Sequence, residues 1–278
     1  MGERMKRAPV DFRGQWVLVT GASSGLGREM AKQLVQVHGA NVIAVARRQD
    51  RLEALAEELE NGTSRVHPVV ADLANPVDVA RVCRESTALG EVRGAILNAG
   101  VTYYGHALEQ DLASFDKLLA TNVTALVHLC QHFAKYFAQK KNDGGVLLVS
   151  SMAGFAPLPY QAAYAATKAF VTSYGRSLAY ELKGTGVNVS VFAPGGIATE
   201  MLELSGLSRK FKPGDMGVMS AEECARLALE GFQKRRMLTV PGASNKLMAA
   251  GMKLAPNRVL MPAIARIYEG SLPDDSKR

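Results

Sequence analysis

Apolar positions in this chain fall into short unbroken runs, separated by stretches with helical spacing. Trp16-Val17-Leu18-Val19-Thr20 is such a run, the pattern of a strand covered on both faces. A Gly-rich turn follows, then a helical stretch to about His38, and Asn41 to Ala46 reads as a second strand. Leu52, Leu55, Ala56 and Leu59 recur on one helical face, and Asp50 with Glu53 has capping-box spacing that places the N-cap at Asp50. Further strands are expected at Val66–Val70, Ala95–Leu97, Gly145–Val149, Asn188–Phe192 and Leu238–Val240. Helices are expected from Pro76 to about Ser86, from Leu112 to Gln139 and from Ala163 to Leu182. This alternation predicts a seven-stranded parallel sheet with helices on both faces, a doubly wound α/β fold.

No Pro/Ser-rich linker or repeat divides the chain, so residues 1–244 read as one domain. Residues 245–278 read as a C-terminal helical extension packing on it, with Pro256 and Pro262 breaking it into short helices. That segment combines Leu247, Met248, Met252, Leu254, Val259, Leu260 and Ile264 with Lys246, Lys253, Arg258 and Arg266. It therefore reads either as a cap on the domain or as a surface for peripheral membrane contact.

Composition narrows the classes. Hydrophobic residues make up 47% and charged residues 21%, as in a globular protein. No apolar run approaches the ~18 residues of a membrane span, and Met1 to Gln15 lacks the apolar core of a signal peptide. Cys83, Cys130 and Cys224 are too scattered for a disulfide framework, which favours a cytoplasmic location. The net charge is +7, but Arg47-Arg48, Lys140-Lys141 and Lys234-Arg235-Arg236 are short separate groups without a nucleic-acid motif, so no nucleic-acid partner is expected. His128 and His132 share a helix face but have no H-E-x-x-H pattern and no third ligand, so no metal site is read there.

Chemistry concentrates after the strands. Gly21-Ala22-Ser23-Ser24-Gly25-Leu26-Gly27 joins a strand to a helix with G-x3-G-x-G spacing. Glycines allow a sharp turn and close approach, and the helix N-terminus offers free N–H groups to a pyrophosphate. After the second strand stand Arg47 and Arg48, with no carboxylate before Asp50. An acid there suits a ribose 2′-hydroxyl; arginines suit a 2′-phosphate, so NADP is favoured. Asn98-Ala99-Gly100 follows the fourth strand, Ser151 the fifth, and Tyr164 and Lys168 stand one helical turn apart.

With Asn122 and Pro194-Gly195, this set resembles the short-chain dehydrogenase/reductase family from Gly14 to about Thr199. Leu97 departs from it, where many members carry Asn. The resemblance implies a Rossmann-type fold and hydride transfer between NADP and a carbonyl or secondary alcohol. It implies Tyr164 as general acid or base, Lys168 lowering its pKa and holding the nicotinamide ribose, Ser151 on the substrate oxygen and Asn122 in a proton relay. Asp72-Leu73 would contact the adenine, and Pro194, Gly195, Ile197 and Thr199 would hold the carboxamide. A homodimer or homotetramer through the Asn122–Gln139 and Ala163–Leu182 helices is also implied. Apolar Tyr103, Tyr104, Phe155, Leu158, Tyr160, Met201 and Leu202 fall in loops after the strands and point to a lipophilic small-molecule substrate. Two other functions use such a fold: a non-catalytic nucleotide sensor or scaffold, which need not keep Ser151, Tyr164 and Lys168 together, and a sugar-nucleotide epimerase or dehydratase, which usually adds a larger C-terminal domain.

Overall fold

The computed structural model describes residues 8–60, 62–200, 215, 217–270 and 272. Every residue of β1 (Trp16–Thr20), β2 (Asn41–Ala46), β5 (Gly145–Val149) and β6 (Asn188–Phe192) is buried. Alternate side chains enter opposite cores. Val17, Val19, Val42 and Ala44 join one cluster with Phe12, Leu34, Phe192 and Phe232. Trp16, Leu18, Ile43 and Val45 join the other with Val82, Leu129, Phe133 and Val171. Strands wetted on neither face need apolar residues at every position, which is why their sequence shows no alternation.

With β3 (Val66–Val70), β4 (Val92–Leu97) and β9 (Leu238–Thr239), these strands form a seven-stranded sheet in the order β3-β2-β1-β4-β5-β6-β9. All six pairings are parallel. Strand order reverses between β1 and β4, and that reversal opens a crevice at their carboxyl ends. Helices α1 (Gly25–Gln36), α2 (Gln49–Leu59) and α7 (Ala221–Gln233) cover one face. Helices α3 (Pro76–Ala88), α5 (Leu126–Lys140) and α6 (Ala162–Glu181) cover the other.

Three local features depart from the sequence reading. Helix α2 begins at Gln49 with Arg48 at the N-cap, so Asp50 lies in the first turn instead of capping it. The Arg48 side chain is engaged elsewhere, and Asp50 still complements the helix dipole. The expected helix from Leu112 to Gln139 is α4 (Leu112–Leu119) and α5 joined by a π turn over Ala120–Ala125. A short parallel pair, β7 (Gly196–Ile197) with β8 (Val218–Met219), is too brief to leave a pattern.

The tail forms α8 (Ala243–Leu254) and α9 (Asn257–Glu269). Pro256 separates them, but Pro262 lies inside α9 without breaking it. Proline is costly mid-helix because it strips a hydrogen bond from the carbonyl one turn earlier. Both Pro262 and Arg258 are exposed here, so water can take that bond. The inward faces supply Ile264, Leu260, Met252 and Tyr268 to a third cluster with Ala153, Leu158, Ala165 and Tyr164.

Candidate active site

The site is built where β1 meets β4. The Thr20 hydroxyl accepts from the Asn98 and Ala99 amides at 2.9 and 3.0 Å. Its carbonyl accepts from the Asn98 side chain at 2.9 Å. The turn that follows has Gly21 at φ +70° and Gly25 at φ +52°, conformations that disfavour any side chain. Gly27 is required by space: a Cβ there would lie 2.3 Å from the Gly21 carbonyl and 2.5 Å from the Asn98 amide nitrogen. Ser24, the N-cap of α1, makes no side-chain cap bond, and the first turn holds no acid. The N–H groups of that turn are left for an anion. This cradle, Gly21 to Gly27 with Ser23, Ser24 and Leu26, fits the pyrophosphate of a dinucleotide.

Arg48 extends the cradle. Its guanidinium donates to the Ser23 hydroxyl at 3.2 Å and the Ser24 hydroxyl at 2.7 Å, and to a Glu200 carboxylate oxygen at 3.1 Å. Arg51, one turn along α2, pairs with the other Glu200 oxygen. The two guanidinium groups hold the Glu200 carboxyl below the usual carboxylate range. Arg47 is exposed, so of the two arginines it is Arg48 that faces the turn. Neither Arg51 nor Glu200 stood out in the sequence; only the three-residue spacing of Arg48 and Arg51 gave a signal. Asp72 and Leu73 follow β3, with Asp72 accepting from the Ala74 amide at 3.0 Å.

The second half of the site surrounds Tyr164 and Lys168 on α6. Lys168 is buried, and its ammonium donates to the Val149 carbonyl at 3.0 Å, 5.7 Å from the centre of the Tyr164 ring. Burial pushes its pKa down to about 8. Burial pushes the Tyr164 phenol up, while a hydrogen bond from Ser151 acts the other way. Ser151 caps the short turn Met152–Phe155 by accepting from the Ala153 amide at 3.1 Å.

Asn122 sits in the π turn and is buried. Its side chain accepts from the Val101 amide and donates to the Val101 carbonyl, both at 2.9 Å, and donates to the Thr167 hydroxyl at 3.1 Å. It thus ties the loop after β4 to α6. A Cβ on Gly100 would lie 3.3 Å from Asn122 Oδ1 and 3.5 Å from Lys168 Nζ, so the two side chains border one small gap. π turns loosen regular backbone pairing and recur at functional sites.

Pro194, Gly195, Ile197 and Thr199 lie after β6. The Pro194 carbonyl accepts from the Met152 amide at 2.8 Å, and the Thr199 methyl would lie 3.0 Å from a Cβ on Gly25. Asn245 of α8 is 1% exposed and packs behind this loop, 2.8 Å from where a Gly195 Cβ would stand.

The expected pocket residues divide. Tyr103 and Tyr160 line a cavity of about 260 Å³ with Phe115, Ala162 and Ala163, at the start of α6. Tyr160 adopts φ +65°, rare for a bulky residue. It is held by the Gly105 amide on its carbonyl at 2.9 Å and the His106 ring at 5.2 Å. Leu158 joins the third cluster, and Phe155 lies under the Lys253 ammonium at 4.4 Å. The Tyr104 hydroxyl donates to the Tyr268 carbonyl. Met201 and Leu202 lie outside the described residues.

The sequence pattern of the short chain dehydrogenases matches residues 15–209. The chain belongs to the short-chain dehydrogenase/reductase family. It is 33% identical over 190 residues to the glucose 1-dehydrogenase of Gluconobacter oxydans, covering 68% of this chain and 71% of that one. It is 28% identical over 250 residues to 17-beta-hydroxysteroid dehydrogenase type 3 of Rattus norvegicus, covering 88% and 78%. Among solved structures, a short-chain dehydrogenase from Sphingobium yanoikuyae in complex with NADPH superposes with a TM-score of 0.78 at 31% identity, covering 88% of this chain and 94% of that one. As a member, this short-chain dehydrogenase is an NAD(P)-dependent oxidoreductase acting on a small molecule.

Proposed function

We propose that this chain reduces the carbonyl group of a lipophilic substrate with NADPH. The observation that carries the reading is the grouping of Ser151, Tyr164 and Lys168 beside the glycine cradle. The Tyr164 phenol can give its proton to a carbonyl oxygen during reduction and take one back in the reverse direction. When bound, the cofactor supplies the hydride. The Ser151 hydroxyl steadies the negative charge growing on the substrate oxygen, and the Tyr164 phenol protonates that oxygen. Lys168 and Asn122 border the gap through which the proton is replaced.

NADP is favoured over NAD by Arg48, which faces the crevice at the end of β2 where no carboxylate stands. Gly21 to Gly27, Asp72, Leu73, Asn98, Ala99, Gly100 and the Pro194–Thr199 loop would complete its binding. A lipophilic substrate is favoured by the aromatic and aliphatic side chains around Tyr164 and by the cap of α8 and α9 over it. On this reading residues 1–244 form the catalytic domain and residues 245–278 its cap. Exposed Phe170 and Tyr180 on α6 support a homo-oligomer through α5 and α6. Three free, buried cysteines support a reducing, cytoplasmic setting.

The test is a panel of ketones of graded size, followed by NADPH absorbance. Tyr164→Phe should retain NADPH binding while turnover falls by roughly 10²–10⁴-fold, the usual contribution of a positioned acid. Turnover equal to wild type would remove Tyr164 from the chemistry. NADPH binding without turnover of any carbonyl or alcohol would favour the sensor reading.

A further inference from the structure

The inward faces of α8 and α9 close over Tyr164, and their outward faces carry an unusual combination. Leu254 is 83% exposed, Leu247 77% and Val259 62%. Leu247 and Leu254 stand seven residues apart, on one side of α8, with Ala250 and Gly251 between them, both exposed. Nothing lies within 4 Å of where a Gly251 Cβ would be. Lys246, Lys253, Arg258 and Arg266 are exposed on the same two helices. Between Glu230 and Glu269 the sequence contains no acidic residue. Among the described residues, Lys246, Arg258 and Arg266 make no ion pair.

Exposed leucines flanked by uncompensated cations need a partner that is apolar inside and anionic at its edge. A second copy meeting this face would bring like charges together, which opposes association. No helix among the described residues is long and apolar enough to cross a membrane. We propose that the outward face of α8 and α9 docks on an anionic lipid surface, with Leu247, Leu254 and Val259 entering the headgroup boundary and Lys246, Arg258 and Arg266 pairing with lipid phosphates. Short helices with leucines on one side and cations beside them lie in the interface plane and do not span the bilayer. Docking there would set the cap at the membrane, where a lipophilic substrate is concentrated.

The test measures vesicle binding by the full chain and needs no turnover, so it stands or falls apart from the substrate reading. The full chain is sedimented with phosphatidylcholine vesicles, with and without phosphatidylserine. Binding is expected only with phosphatidylserine and should weaken with salt, because the screening length falls from ~10 Å at 0.1 M to ~3 Å at 1 M. Leu247→Ser with Leu254→Ser should abolish it while NADPH binding is kept. If that variant does not fold, Lys246→Glu with Arg258→Glu provides the test, since each cation neutralised lowers affinity about fivefold and reversal lowers it further. No sedimentation with anionic vesicles at low salt overturns the proposal. So does equal binding to neutral vesicles, or unchanged binding by a folded variant. Self-association abolished by the leucine substitutions, without vesicle binding, would instead assign this face to a second copy.

Discussion

The guanidinium beside the Gly-rich turn already holds a carboxylate in this chain. Arg48 bonds the Ser23 and Ser24 hydroxyls and the Glu200 carboxylate, and Glu200 also engages Arg51. A 2′-phosphate entering here must share or displace Glu200. Charge-assisted contacts are worth ~1.5–3 kcal/mol, and the partial exposure of Arg48 puts it at the lower end. Arg48→Ala should therefore weaken NADPH about tenfold and NADH far less, whereas Glu200→Gln should tighten NADPH; both are read by fluorescence titration. Weaker NADPH binding by Glu200→Gln would make Glu200 a clamp, not a competitor. Lys168 makes a pH prediction of the same kind. It loses its proton near pH 8 when folded, against 10.5 ordinarily. Between those values the unfolded chain binds the extra proton, so Lys168 adds stability to the cofactor-free protein as pH rises, until the buried thiols of Cys83, Cys130 and Cys224, raised from 9.0, oppose it above pH 9. Below that window the cost of the buried ammonium is present in full. Tyr164, raised above 10.0, works against this at the upper end. Lys168→Met should remove the rise in urea midpoint between pH 8 and 9.

At the scale of elements, the strand–turn–helix unit from β1 to α1 leaves least freedom. A methyl on Gly27 would overlap the Gly21 carbonyl and the Asn98 amide, both fixed by neighbouring strands. Gly27→Ala should cost ~1–3 kcal/mol, as overpacking generally does. It should lower the urea midpoint without changing its slope, and reduce cofactor affinity by opening the cradle. Strands, α1 and the cradle were legible beforehand because their signals are local: unbroken apolar runs, then glycines at fixed spacing. The π turn at Ala120–Ala125 was not, since a one-residue widening leaves the helical period almost unchanged. Asp50 misled for a related reason. Capping-box spacing marks a helix start, but the Arg48 side chain reaches across to β1–α1, and the helix begins two residues earlier.

At the scale of the whole molecule, α8 and α9 pack over Tyr164. Tyr268 and Ile264 pack with Tyr164, Leu158 and Ala153, and the Tyr104 hydroxyl fastens the end of α9. Burial carries the Tyr268 phenol up to about 12, so it stays neutral across the working range. Tyr268→Ala should leave turnover of small ketones nearly unchanged. It should reduce kcat/KM for bulky ones roughly ten- to hundredfold, the worth of one large apolar contact. Equal loss for both classes would show a cap that supports the fold without selecting substrate.

By itself the sequence determined the alternating architecture, the parallel sheet and the family. These depend on periodicity and on motifs whose members lie within a few positions of one another. Tertiary structure decided which members of those motifs face one another. It turned Arg48 inward and left Arg47 in solvent. It brought Glu200 to Arg48 across 152 positions and Tyr268 to Tyr104 across 164. It also divided the tail into an inward face that covers Tyr164 and an outward one that meets solvent. Such pairings are set by how helices seat on the sheet, and a one-dimensional pattern carries no term for that distance.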